Sequence, residues 1–244
     1  MFSKVARRFN GGNERDTLKS FRDGFCISLT PDPSNFLFGF LSESEASTIV
    51  KGLNTVVLDR LVDVVDRAGV PALEFRSGSS RSVPAGTWIV NCTGYLLNEG
   101  HAYEPYVSAG GAVLSIQMRS ATLQLSSLQA YFMTHLFFLG HLGDAPLYEL
   151  DMVEMRQKAN TALPYALMAL NQHNLSVIAD AVSPKVFLEC GLDFSRWYPI
   201  PRRLVGAVQF LARHRRDRGY HRRTLDTVRE RFDVRCGPLA GCQN

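Results

Sequence analysis

Asn91-Cys92-Thr93-Gly94-Tyr95 is the stretch of this 244-residue chain whose residue types best suit close approach to a ligand. Gly94 permits a positive φ and lets backbone come near a bound group, and Tyr95 offers a ring for stacking. Other candidates for chemistry carry less. Among the six histidines, His101, His135, His141 and His173 share no His-x-x-x-His or Glu-x-x-His spacing, so two ligands on one helix face are not indicated and no metal site is expected. His135 and His141 flank an apolar run; without an identifiable charge partner each reads as a structural or solvent-exposed ring. No Gly-x-Ser-x-Gly elbow occurs, and no cysteine sits in a recognisable nucleophile context. The five cysteines are scattered, odd in number and without a Cys-x-x-Cys pair. Reduced thiols in a cytoplasmic protein are the simplest expectation.

Charge is the second signal. Between Arg202 and Arg235 there are eleven arginines and no lysine against four carboxylates, a local net charge of +7 that exceeds the +4 of the whole chain. Arginine forks grip phosphates bidentately, and clustered charge draws nucleic acid. No RNA- or DNA-binding motif surrounds the cluster, and Tyr220 is its lone ring. A solvated helix face, or a surface docking on an acidic neighbour, is the expected role. A nucleic-acid-associated protein is the third of the readings weighed.

These residues need elements to hold them. Residues 1–24 are polar, interrupted by Gly11-Gly12 and without clear periodicity, and read as a linker. Ser42-Glu43-Ser44-Glu45 has the form of a capping box and opens a short helix that stops near Gly52. From Thr55 the chain turns strand-like. Val56–Leu58 with Leu61–Val65, then Pro71–Arg76 and Gly86–Asn91, are expected as three short strands, with Asp66-Arg67-Ala68-Gly69 as a turn. Ala112–Ile116 reads as a strand, Leu123–Met133 as a helix, and His135–Gly140 as a buried strand ending in glycine. Leu147–Asn160, Leu163–Ala181 and Lys185–Gly191 read as helices, the last after the start signal Ser183-Pro184. A basic helical tail follows. The most apolar stretch, Leu136–Leu142, is far too short to span a bilayer.

The strand-like Thr87-Trp88-Ile89-Val90 running into Asn91-Cys92-Thr93-Gly94-Tyr95, with Leu73–Arg76 and the turn Ser77–Ser80 upstream, resembles the exit from the nicotinamide-nucleotide domain of two-dinucleotide-binding flavoproteins, above all FAD-dependent monooxygenases. There a hydrophobic strand ends in an Ala-Thr-Gly-Tyr type motif. The resemblance implies an α/β or α+β fold, with a β-meander and a crossover strand followed by a mainly helical region. It implies FAD and NAD(P) as cofactors, with Asn91, Cys92, Thr93, Gly94 and Tyr95 near them and Gly140 as a further contact. The family's second strand usually ends in Gly followed by Asp; here Gly140-His141-Leu142-Gly143-Asp144 departs from it, which puts a role for Asp144 in doubt.

Such enzymes hold the FAD pyrophosphate at a Gly-x-Gly-x-x-Gly turn leading into a helix, and these 244 residues contain no such motif. The chain therefore resembles the C-terminal half of a flavin monooxygenase-like oxidoreductase, divided into residues 1–54 (linker and remnant of the nucleotide region), 55–201 (meander, crossover and FAD-domain-like part) and 202–244 (basic tail). Its expected partners are an N-terminal flavoprotein half or an oligomer mate, and a small-molecule substrate. A non-catalytic remnant or interaction module that keeps the fold without cofactor is the alternative. No residue is assigned as catalytic acid or base.

Overall fold

The computed structural model describes residues 2–25, 43–88, 102–109, 111–117, 119–189 and 199–239. Asn91–Tyr95 lie outside the described residues, as do Ser42 of the expected capping box and the end of the expected strand Gly86–Asn91. The fold class is mixed: helices dominate, and two small antiparallel sheets accompany them. The chain divides into two units.

One unit contains helix α3 (Glu43–Gly52) and strands β1 (Leu61–Arg67), β2 (Val70–Phe75) and β3 (Ser80–Ser82). The strands form an antiparallel meander in the order β1-β2-β3. Ala68 (φ 56°) and Gly69 (φ 85°) make the two-residue connection between β1 and β2. Two successive positive φ values match the right-handed twist of the strands, and the Asp66 carboxylate accepts from the Gly69 amide at 2.7 Å. Across the hairpin Arg67 meets Glu74 at 2.9 Å. The third strand of the meander is Ser80–Ser82; of the expected strand Gly86–Asn91 only residues 86–88 are described, and they are not in a strand. Gly78 (φ 84°) turns the chain so tightly that Ser80 is delivered opposite Glu74 and pairs at once, while Gly86 sits in a later turn with φ 80°. Turn geometry, rather than strand propensity, picks the third strand.

The other unit holds α1 (Phe2–Arg8), α2 (Glu14–Phe25), β4 (Ser120–Ala121), α4 (Ser126–Phe138), β5 (Tyr148–Asp151), α5 (Met152–Ala159), α6 (Leu163–Ala181), α7 (Pro184–Glu189), α8 (Ile200–Phe232) and β6 (Cys236–Pro238). Helix α6 is its axis. Leucine, alanine and methionine occupy most of its circumference, so it is buried on nearly every side, and α1, α8 and β5 pack around it. Leu128, Phe132, Met133 and Leu136 of α4 join Val177 and Ile178 of α6 in one apolar cluster.

Several expectations change here. Residues expected as a linker form α1 and α2, because Val5, Ala6, Phe9 and Phe21 are buried although the surrounding sequence is polar. The run His135–Gly140 is not a strand: His135–Phe138 are the last turn of α4, and a short apolar run fits either state by pattern alone. Leu147–Asn160 is split. Tyr148–Asp151 pair with β4 and β6 as the middle strand, and only Met152–Ala159 are helical. Asp151 makes the switch, since its carboxylate caps α5 by accepting from the Val153 and Glu154 amides at 3.0 Å each. Ala112–Ile116 contributes a single bridge, Val107 to Leu114, instead of a strand. The basic tail is helical as α8, and its end returns as strand β6 beside β5.

Among the described residues no helix is long and apolar enough to cross a membrane.

Candidate functional site

Helix α8 carries its charge on two sides with different fates. On one side, Arg215 and Arg218 face α6. Asp180 of α6 receives Arg215 at 3.0 and 3.1 Å, His214 Nε2 at 3.2 Å and a short hydrogen bond from Arg218. Arg218 also donates to the Ser176 hydroxyl at 2.8 Å and to its carbonyl at 2.6 Å. Burial pushes the Asp180 carboxyl up, but the hydrogen bonds from Arg218, His214 and Arg215 outweigh it and hold the group far below the usual carboxylate range. These cations fasten α8 to α6. They are part of the fold.

On the other side, Arg202, Gly206, Gln209, Arg213, Asp217 and His221 recur every three or four residues and so share one face of α8. Helix α1 lies beside that face and adds Lys4 and Arg7, and the two helices bound a cleft of about 620 Å³. The seat of α1 is well determined. The Phe9 carbonyl accepts from Tyr220 at 3.0 Å and from Thr224 at 3.4 Å, and the Phe9 ring packs on Tyr165 of α6 at 5.7 Å. Just beyond, Arg231 grips the Glu14 carboxylate with both nitrogens, at 2.6 and 3.1 Å.

The cleft is electropositive. Lys4, Arg7, Arg202 and Arg213 line it against one carboxylate, Asp217, which is itself shared between Arg7 at 3.6 Å and Arg216 at 3.4 Å. Lys4 and Arg213 have no acidic partner among the described residues. His221 also lines the cleft. It is only 3% exposed, and its Nδ1 has no hydrogen-bond partner. Burial depresses its pKa to about 4; Asp217 opposes the shift, while His173 and Arg7 add to it. At neutral pH the ring is therefore uncharged and offers one donor and one acceptor nitrogen.

A second polar cluster is closed to ligands. Glu149, 2% exposed, accepts from Tyr103 at 2.8 Å and from Ser120 at 2.9 Å, and Tyr106 reaches the Ser120 carbonyl at 2.7 Å. Gln129 donates to the Tyr106 hydroxyl at 2.8 Å. Burial, reinforced by Glu149, pushes the Tyr103 phenol up to about 12. Every member is satisfied internally, which specifies packing and leaves no proton positioned for a substrate. Cys236 nearby is buried, and that burial pushes its thiol up to about 12, so it is no nucleophile at neutral pH. Among the described residues no group of three or more His, Cys, Asp or Glu side chains could hold a metal ion.

Of the residues singled out from sequence, Asn91, Cys92, Thr93, Gly94 and Tyr95 lie outside the described residues. Gly140 follows α4 with φ 71°. Its amide donates to the Phe137 carbonyl at 3.1 Å, and the His141 amide donates to that of Leu136 at 2.9 Å. This double closure is the usual glycine stop of a helix. It explains Gly140 without a ligand and leaves its amide engaged. His135 lies on α4 with Nδ1 2.8 Å from the Tyr131 carbonyl, and His173 is buried on α6. Sequence reasoning missed the cleft altogether. The three-and-four spacing from Arg202 to His221 was a readable signal, but the contribution of α1 was not. The chain matches no protein-family model, no curated protein and no solved structure.

Proposed function

We propose that this chain is the part of an FAD- and NAD(P)-dependent, monooxygenase-like oxidoreductase that follows its nucleotide-grasping loops. The observation that carries this reading is connectivity. The antiparallel meander β1-β2-β3 belongs to one unit and residues 102–109 to the other. The chain therefore passes between units within residues 89–101, the stretch that contains Asn91–Tyr95. A meander followed in the sequence by a Thr-Gly-Tyr stretch is the order that the resemblance implies.

The described residues do not themselves fit FAD. No Gly-x-Gly-x-x-Gly turn is present in the chain, and the Gly140 amide is taken by Phe137. Without amides at a glycine-rich helix N-terminus the pyrophosphate has no cradle. The chain purified alone is expected to be colourless and to oxidise no NAD(P)H with added FAD. Co-expression with a segment carrying the glycine fingerprint is expected to give a yellow complex. A complex that forms and stays colourless would overturn the oxidoreductase reading. It would favour the second one, a binding module without redox chemistry, which the basic cleft of α1 and α8 supports.

A further inference from the structure

We propose that the cleft between α1 and α8 binds a small organic polyphosphate of the nucleoside-diphosphate class, with Lys4, Arg7 and Arg213 on its phosphates and His221 as a hydrogen-bonding group at its wall. The inference goes beyond the oxidoreductase reading and does not rest on it.

Charge selects an anion: Lys4, Arg7 and Arg213 face one carboxylate, and that carboxylate is already shared by two arginines. The second observation is His221. A buried polar atom ordinarily finds a partner, yet Nδ1 of this ring, on the cleft wall, has none. The ring thus brings an unsatisfied polar group to the wall of an electropositive cleft. Size selects a small molecule, since about 620 Å³ falls within the roughly 300–1,000 Å³ of small-ligand pockets. Phe210 on the same wall supplies an apolar ring for the remainder of the ligand. Arg215 and Arg218 are engaged by Asp180, which takes two of the helix's arginines away from a longer nucleic-acid footprint.

The test is calorimetric titration of the full chain with ADP and, separately, with inorganic pyrophosphate, in two variants and one control. Gly206→Glu places a carboxylate in the cleft. A Cβ there meets nothing within 4 Å, and glutamate is a better helix former than glycine, so the fold is kept. Arg213→Ala removes an unpaired cation. Each is expected to weaken binding of both probes about tenfold or more, equivalent to about 1.4 kcal/mol, whereas Arg81→Ala on β3 leaves binding unchanged. The His221 ring resonances are expected to shift when ADP is added. The proposal is overturned by absence of binding for both probes at millimolar concentration. Equal binding by the parent, Gly206→Glu and Arg213→Ala would overturn it too, as would binding of an oligonucleotide in the absence of binding to either probe.

Discussion

Gly11 is where a single methyl group should do most damage to the seat of α1. Its φ is +91°, and a Cβ built there would lie 2.7 Å from Thr227 Cβ, 2.8 Å from Thr227 Cγ2 and 2.9 Å from the Thr224 carbonyl oxygen of α8. Two of these atoms are anchored in or next to helix backbone, so relief requires α1 and its following turn to move away from α8. The left-handed conformation alone costs a residue with a Cβ about 1–2 kcal/mol, and forced overpacking adds about 1–3 kcal/mol. Gly11→Ala should therefore destabilise by about 2–5 kcal/mol. In a chain of this size one kcal/mol moves Tm by roughly 2–4 °C, so a fall of about 4–20 °C is expected. Two internal controls separate the contributions. Gly140→Ala meets the same left-handed requirement with φ 71° but has nothing within 4 Å, and should lose only about 1–2 kcal/mol. Gly12→Ala has no positive φ, and its nearest neighbour is the end of Arg231 at 3.6 Å; its Tm should stay within about 2 °C of the parent, as for surface changes away from special features. Calorimetric scans of the three variants give the order. A Gly11→Ala protein that melts no lower than Gly140→Ala would refute the claim that α1 is clamped on α8 through this turn.

Acid should weaken the fold through His221. Its pKa is about 4 in the folded chain against an ordinary 6.5, so between these values the unfolded chain holds the proton and the folded chain does not. Stability is then lost as pH falls from 6.5 toward 4, by roughly 3 kcal/mol in all; urea midpoints across that range should flatten in His221→Gln, and equal slopes in parent and variant would remove His221 from the explanation. Cys236, buried and with its thiol pushed up to about 12, should react with a thiol reagent at neutral pH only after denaturation; labelling of this residue in the native protein at the denatured rate would contradict the packing of β6.

The hairpin at Asp66–Gly69 was legible because the turn carries its own chemistry, a carboxylate to accept an amide and a glycine to take positive φ. Helices α6 and α8 were legible for a related reason: long runs of helix-forming residues with a proline near each start need no distant partner to declare themselves. The run before Gly140 was misread because a short apolar stretch suits a buried strand or a buried helix equally well, and only its packing with Val177 and Ile178 decides. The cleft was hidden for the same kind of reason. Lys4 and Arg7 stand more than half the chain away in sequence from Arg213 and His221.

Local backbone preference, net charge and the absence of a glycine fingerprint were thus written in the sequence, because each is a property of neighbouring residues or of a sum over residues. Tertiary structure alone decided that Tyr148–Asp151 form a strand, since its partners Ser120 and Cys236 come from far along the chain. It also decided which arginines are spent on Asp180 and which are left facing a cleft. Helical periodicity sorts side chains onto faces; what each face meets depends on non-local burial.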